Sequence, residues 1–432
     1  MRILVVGSGG REHAIVWAVN KTATRTIELF CAPGNAGIAQ IAQCVPTAAT
    51  EVNALADFAQ REGIDLTMVG PEAALAEGIV DEFERRRLRI VGPGKSAARL
   101  ETSKAFAKDF MQRHGIPTAR YRVATSVDEA IACLRSGEFG DEHSPVVVKA
   151  DGLAAGKGVV VARSRGEAES ALSDLTNLGS AAQRIIIEEA LFGREASVLL
   201  FCDGKSFRLM PPARDHKRVG EGDTGPNTGG MGSITDASII DDATMKRVVA
   251  EIVEPTLRGS TGEGFPFRGI LFIGLMLTAD GPRVLEYNVR FGDPETQAIL
   301  VRLETDLTEI FDAIVEQRLD EIDVRWSTDS SACVVLAARG YPGKPATGNQ
   351  IEGLDSPVRE DDVAVFHAAT TRGADGEWLT AGGRVLGVTA TGKTLTTALS
   401  RCYDAVAKIQ WDGMHYRRDI GQASESRIAA NG

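Results

Sequence analysis

Over the first hundred residues, short apolar runs alternate with amphipathic stretches. RILVVG precedes EHAIVWAVN, TIELFCAP runs into a glycine-rich turn, LTMVGP precedes LAEGIVDEFERR, and LRIVGP closes the series. Alternation of this kind predicts a parallel sheet with crossover helices, so this is an α/β chain. Ligands of such sheets bind in the loops at the carboxyl ends of the strands. The next stretch, TSKAFAKDFMQRHGIP, reads as a helix. Ala105, Phe106, Phe110 and Met111 form its apolar stripe, Lys104 and Lys108 share the opposite face, and Gly115 and Pro117 end it. RIIIEEALFGREASVLLF predicts two strands around an acidic bend, and a glycine- and proline-rich loop runs from 211 to 232. GILFIGLMLTADG and RVLEYNVRFG are further strands. A last segment from about 327 offers strands at ACVVLAARG, VAVFHAAT and RVLGVTATG. Its closing helix carries Leu395, Leu399, Cys402, Val406 and Ile409 on one face.

At 432 residues the chain is too long for one ordinary core, so several domains are expected. With 43% hydrophobic and 25% charged residues it has a globular composition, and no apolar run is long enough to span a membrane. MRILVVGSGG lacks the long apolar core of a signal peptide, so a cytoplasmic protein is expected. The six cysteines are scattered without a CxxC pair, which points to neither zinc nor a disulfide framework. A net charge of −11 argues against a nucleic-acid partner but leaves room for small anions in a local basic pocket.

Two glycine-rich stretches could hold phosphate. In VVVKADGLAAGKGVVVA, residues 146–162, only three residues separate Gly152 from Gly156, and Gly158 follows Lys157. A P-loop needs four residues there, a Ser or Thr after the lysine, and a helix next. Two β-branched runs make a hairpin instead, with Lys149 and Lys157 beside glycines that let backbone N–H groups approach an anion. GSGGRE after the first strand has Gly7 and Gly9, but Glu12 stands where a dinucleotide fingerprint needs its third glycine.

The sharpest chemistry is in VLEYNVRFGDPETQ. Alternate residues of a strand share a face, so Glu286, Asn288 and Arg290 point one way and Leu285, Tyr287 and Val289 the other. A carboxylate and an amide oxygen two residues apart are hard donors suited to Mg²⁺, and Arg290 suits a carboxylate or phosphate. PPARDHKRVGEGDTGPNTGGMG puts charges of both signs beside small residues, and loops this long inside compact domains are usually functional.

Ten motifs in series resemble the phosphoribosylamine–glycine ligases, an ATP-grasp family of purine biosynthesis. They are GSGGREHA, APGNAG, VGPEAAL, SKAFAKDFM, VVKADGLAAGKGV, DHKR…GDTGPNTGGMG, LEYNVRFGDPETQ, GYPG, GGRVLGVTA and GMHYRRDIG. The resemblance implies a Rossmann-like N-terminal domain over 1–102 and an ATP-grasp domain over 103–312, with a flap subdomain at about 120–190. A small α+β domain over 327–424 completes it.

ATP would be held by Lys104 and Lys149, the flap glycines Gly152, Gly156 and Gly158, the hinge Glu188, Glu189 and Leu191, and Glu195 at the ribose. Glu286 and Asn288 would bind Mg²⁺ or Mn²⁺. Arg290, Asp215 and Lys217 would be catalytic, with Asp223, Asn227, Thr228, Gly229 and Gly230 completing the loop that takes glycine. Gly9, Gly10, Gly34, Asn35, Pro71 and Glu72, at strand ends of the first domain, would hold the phosphate of 5-phosphoribosylamine. The strand before Glu286 offers Gly274 and no acid where many ATP-grasp enzymes carry a first metal glutamate. A monomer or weak homo-oligomer is expected.

A dinucleotide-dependent oxidoreductase is the rival from another class, and the missing third glycine counts against it. A non-catalytic nucleotide-binding scaffold is opposed by the joint presence of Glu286, Asn288 and Lys149. Another carboxylate–amine ligase would differ in the amine that stimulates ADP release.

Overall fold

The computed structural model describes residues 1–152, 158–176, 184–354, 362–422 and 427–428. The N-terminal strands form a parallel sheet in the order Gln43–Cys44, Glu28–Pro33, Arg2–Gly7, Leu66–Val69, Ile90–Val91. The central strand RILVVG has no polar alternation because both its faces are covered. Ile3 and Val5 pack against Ile15 and Val19 of the helix Gly10–Thr22, whereas Leu4 and Val6 join a cluster with Phe30, Leu55 and Phe83.

A second, antiparallel sheet has the order Tyr121–Ala124, Ile185–Glu189, Val146–Ala150, Val159–Ala162. The helices Val127–Arg135 and Arg165–Thr176 accompany it. The Val146–Ala150 and Val159–Ala162 strands pair directly, as the hairpin reading of VVVKADGLAAGKGVVVA requires. Gly156 and Lys157, between these strands in the sequence, lie outside the described residues.

The third sheet is 10-stranded and crosses the whole remainder of the chain. Its path runs Gly281–Asn288, Arg268–Thr278, Phe192–Asp203, Ala213–Asp215, Gly232–Thr235, Ser330–Ala337, Arg384–Gly392, Val363–His367. Gly232–Thr235 pairs antiparallel with Ser330–Ala337, so the C-terminal strands continue the central sheet rather than start a detached unit. This seam corrects the reading of 211–232 as an irregular loop. The stretch contains the strand Ala213–Asp215, the hairpin of Arg218–Gly220 with Thr224–Asn227, and leads into Gly232–Thr235. The backbone pairing that glycine content hides from a propensity argument is supplied here by tertiary neighbours. No helix among the described residues is long and apolar enough to cross a membrane.

Candidate active site

A cavity of about 450 Å³ lies between the two antiparallel sheets and helices of the N-terminal domain. Lys104, Lys149, Gly158 and Glu188 line one side of it, and Glu286, Asn288 and Arg290 line another. Asp215, Lys217, Thr228, Gly229 and Glu72 reach it from elsewhere, so residues spread over more than two hundred positions converge.

Each wall has a local cause. Lys104 opens the helix Lys104–Arg113, whose first turn is capped twice: Ser103 Oγ accepts from Phe106 N, and Asp151 Oδ1 accepts from Ala105 N at 2.7 Å. That cap ties the helix to the flap hairpin, and Lys104 Nζ donates to Gly152 O at 3.2 Å. Burial lowers the Lys104 ammonium, with Glu286 opposing.

Lys108, one turn on and on the same helix face in the sequence, is only 2% exposed. It forms a 2.9 Å ion pair with Glu188, which also pairs at 2.9 Å with Lys149. Burial pulls the Lys108 ammonium down to about 8 although Glu188 opposes this. Glu188 stays below the ordinary carboxylate range because Lys108 and Lys149 together outweigh the cost of its burial.

The strand Gly281–Asn288 departs from simple alternation. A bulge sits opposite Gly274–Leu275, where Glu286 pairs with Gly274 and Val284 with Leu275. Leu285 therefore leaves the core face kept by Val284, Tyr287 and Val289. It packs with Ala119, Leu191 and Met276 instead, a small apolar cluster beside the hinge of which Leu285 lines the cavity. Period-2 counting placed Leu285 with Tyr287, and the bulge corrects it. Glu286 and Asn288 do share the cavity side.

Lys217 Nζ lies 3.5 Å from Glu286 and 3.7 Å from Glu195. Burial lowers Lys217, but Glu286, Glu195 and Asp215 outweigh it and raise it. For Glu286 the balance runs the other way: burial raises it, while Lys217, Lys149 and Lys104 hold it low and ionised. Two hard oxygens beside lysines fit a divalent ion that takes its remaining donors from phosphate and water. Among the described residues no group of three His, Cys, Asp or Glu side chains could hold a metal alone. A Cβ at residue 274 would come within 3.2 Å of Glu286 Cγ, so glycine there leaves this carboxylate its room.

Arg290 is spanned by two acids. Its Nε donates to Glu72 at 3.1 Å, and its Nη2 to Glu101 at 2.7 Å and to Asn288 Oδ1 at 3.0 Å. Its Nη1 donates to Phe291 O at 3.3 Å. One of its five N–H groups remains, so it offers no bidentate fork in this arrangement. Burial would raise Glu72, yet Arg290 and Arg11 hold it at about 2. Burial lifts Glu101 to about 7 in spite of Arg290.

Glu101 therefore carries a testable pH signature. Between its unfolded value near 4.5 and its folded value of about 7, the folded chain keeps a proton that the unfolded chain releases. Its contribution to stability is most favourable below that window and falls as pH rises through it, by about 3 kcal/mol in total. Glu101→Gln should remove this slope in urea unfolding between pH 5 and 8, and an unchanged slope would contradict the assignment.

The first-domain residues are placed otherwise. Glu12 folds back on its own helix terminus: Oε2 accepts Gly9 N at 2.6 Å and Oε1 accepts Arg11 Nε at 2.6 Å. A Cβ on Gly7 or Gly70 would collide with Glu12. The acid thus fills the space in which a dinucleotide fold seats its pyrophosphate. Gly10 packs against Gln297, with 2.8 Å from its Cβ position to Nε2.

Asn35 uses Nδ2 on the carbonyls of Ser8, His367 and Ala368 and Oδ1 on the N–H groups of Gly37 and Ile38. Gly34 has φ +71° and Cys44 Sγ where its Cβ would sit, and Pro71 caps the helix Glu72–Glu77. Of this group only Glu72 lines the cavity. Glu189 turns away to Arg120, and Gly230 packs against Asp215 and Pro294. Asp223 is held by Arg417, and Asn227 ends the hairpin strand Thr224–Asn227.

Several cavity residues went unnoticed in the sequence. Tyr341 of GYPG accepts Gly229 N–H at 2.9 Å. Arg384 of GGRVLGVTA donates to Gly229 O and Asp293 O and lies 3.0 Å from the Asp293 carboxylate. The motifs containing them were visible, but nothing local points their side chains at a loop more than a hundred residues away. The last segment also pins the hairpin. Arg417, 1% exposed, pairs with Asp223 and Asp419, Asp419 accepts Gly222 N, and His415 reaches Val219 O.

A Rossmann-like sheet, a flap sheet and a central antiparallel sheet around a lysine-lined cleft define the ATP-grasp class. Family profiles for phosphoribosylglycinamide synthetase match in chain order: the N domain over 1–101, the ATP-grasp (A) domain over 102–296 and the C domain over 331–423. The phosphoribosylamine–glycine ligase of Xanthomonas campestris pv. campestris is 48% identical over 99% of both chains. That of Escherichia coli O157:H7 is 48% identical over 98% of both. The crystal structure of the Thermotoga maritima phosphoribosylamine–glycine ligase superposes with a TM-score of 0.80 at 34% identity, covering 97% of this chain and all of that one. The chain belongs to the phosphoribosylglycinamide synthetase family.

Proposed function

We infer that this protein joins glycine to 5-phosphoribosylamine at the expense of ATP, giving glycinamide ribonucleotide, ADP and phosphate in purine biosynthesis. The observation that carries this is the convergence of Lys104, Lys149 and Lys217 with Glu286 and Asn288 on one cavity. The glycine carboxylate attacks the γ-phosphorus, ADP leaves, and the amine of phosphoribosylamine then displaces phosphate from the glycyl phosphate. No protein nucleophile is needed, so the chain contributes position and charge.

Lys104 and Lys149 would face the phosphates, and the hinge of Glu188 to Leu191 would receive the adenine beside Leu285, which lines the cavity. Glu195, on the strand after that hinge, would hold the ribose. Glu286 and Asn288 would hold Mg²⁺ or Mn²⁺, which when bound would supply positive charge to offset that of the phosphates. Asp215, Lys217 and Arg290, with the loop at Thr228 and Gly229, border the space left for glycine. Because Arg290 is already spanned by Glu72 and Glu101, it acts in this reading mainly by fixing Asn288 and the wall. The phosphate of phosphoribosylamine would enter from the Glu72 side, and the flap glycines would cover the triphosphate. The net charge of −11 supports small-molecule partners over nucleic acid.

The test is ADP release with glycine and phosphoribosylamine each omitted in turn. Release that needs both supports the reading. Release stimulated by a different amine would move the chain to another carboxylate–amine ligation, and none at all would remove the catalytic reading.

A further inference from the structure

We propose that Lys108 is a positioning residue for the nucleotide site: through Glu188 it keeps Lys149 free to act on phosphate. The idea rests on the ATP reading above. Lys108, Glu188 and Lys149 are each 2% exposed and form a cation–anion–cation row at the cavity wall. Lys108 Nζ lies 2.9 Å from Oε2 of Glu188, and Lys149 Nζ lies 2.9 Å from Oε1. The two lysines come from different elements, the helix Lys104–Arg113 and the strand Val146–Ala150.

The same row grips the strand that carries Glu286 and Asn288. Lys108 donates to Thr118 Oγ1 at 2.8 Å, Thr118 donates to Val284 O at 2.6 Å, and Lys149 donates to Leu285 O at 3.4 Å. Glu188 is thus fixed from both ends, and its orientation sets where Lys149 points.

Charge decides why a second lysine is needed. A buried glutamate beside one lysine would cancel it, leaving a neutral pair with little pull on a triphosphate. A second lysine on the other carboxylate oxygen leaves the row one positive charge in surplus, in a place where charges are weakly screened. Lys149 lines the cavity next to Lys104, so that surplus lies where the phosphates are expected. A lysine that merely filled space at residue 108 would have no reason to stand against the same carboxylate.

The experiment compares equilibrium binding of a non-hydrolysable ATP analogue and of adenosine to the intact protein, to Lys108→Met, and to the double variant Lys108→Met with Glu188→Gln. Thermal unfolding confirms that each is folded. Lys108→Met leaves a paired carboxylate and an apolar chain of similar length, and the double variant leaves no anion in the row. The analogue should bind roughly 30-fold more weakly to Lys108→Met, with adenosine within about threefold. Removing the glutamate as well should restore at least about tenfold of the lost affinity, a coupling that independent sites would not show.

Equal weakening of both ligands would mean that Lys108 supports packing alone, and a double variant no tighter than Lys108→Met would refute the charge argument. An intact protein that binds the analogue no better than adenosine would instead defeat the ATP reading, and the proposal with it. If Lys108→Met does not fold, the double variant alone decides: binding of the analogue more than about threefold weaker than to the intact protein, beyond any change for adenosine, overturns the proposal, and binding within that range supports it.

Discussion

Glu286→Ala should lower turnover by about a thousandfold or more while leaving the fold in place. Loss of a metal-side carboxylate removes an electrostatic contribution of several kcal/mol at the step where phosphate charge is redistributed. The fold should survive because Glu286 faces the cavity with 23% of its side chain exposed, while Val284 and Tyr287 keep the strand in the core. Lys217 also keeps Glu195 nearby when Glu286 is gone. ADP release at saturating substrates, paired with a thermal melt, makes the check. Near-normal turnover at ordinary Mg²⁺ would remove Glu286 from the metal site, and a collapsed melt would make it structural.

The second large effect is on stability. Arg290→Met should cost about 3–5 kcal/mol at pH 8, because breaking a buried pair strands its partners rather than merely losing an attraction. Glu72 sits at about 2 only with Arg290 and Arg11 against it, and Glu101 at about 7 only with Arg290 opposing its burial. Without the guanidinium both carboxyls shift upward, so the variant should regain stability as the pH falls towards 5 and they take up protons. Urea unfolding at pH 8 and pH 5 reads this directly. Equal losses at both values would show that Arg290 acts through packing, and no loss at either would show that the two acids are solvated.

The succession of apolar runs and amphipathic stretches points to the parallel sheet, the paired β-branched runs to the hairpin, and period-2 counting to the shared face of Glu286 and Asn288. Each of these signals is carried by residues close together in the sequence. What escaped them was set by distant parts of the chain. Leu285 changes side because Gly274 and Leu275, on the facing strand, open a bulge against it. Lys108 looks like a surface residue one turn from Lys104, and only the arrival of Glu188 on a far strand explains its burial. Asn35 sits in a loop that reads as a ligand site, yet its amide is consumed by Ser8, His367 and Ala368. Tyr341, Arg384 and Arg417 lie in motifs that were visible, but spacing carries no information about which loop they would meet.

The clamp on the hairpin of Arg218–Gly220 and Thr224–Asn227 has a consequence for the order of synthesis. Residues 415–421, which hold it through His415, Arg417 and Asp419, are almost two hundred positions downstream. A ribosome releases the N-terminal part of a chain first, and domains generally fold as they emerge. In the ATP reading, the strands that would receive the adenine and the lysines around them are therefore synthesised while the loop expected on the glycine side still lacks its anchor. A nascent chain in that condition would be able to bind nucleotide but not to assemble the acceptor side, so ATP would not be spent on a half-made enzyme. Catalytic competence would arrive late in translation, with the segment that brings Arg417 to Asp223.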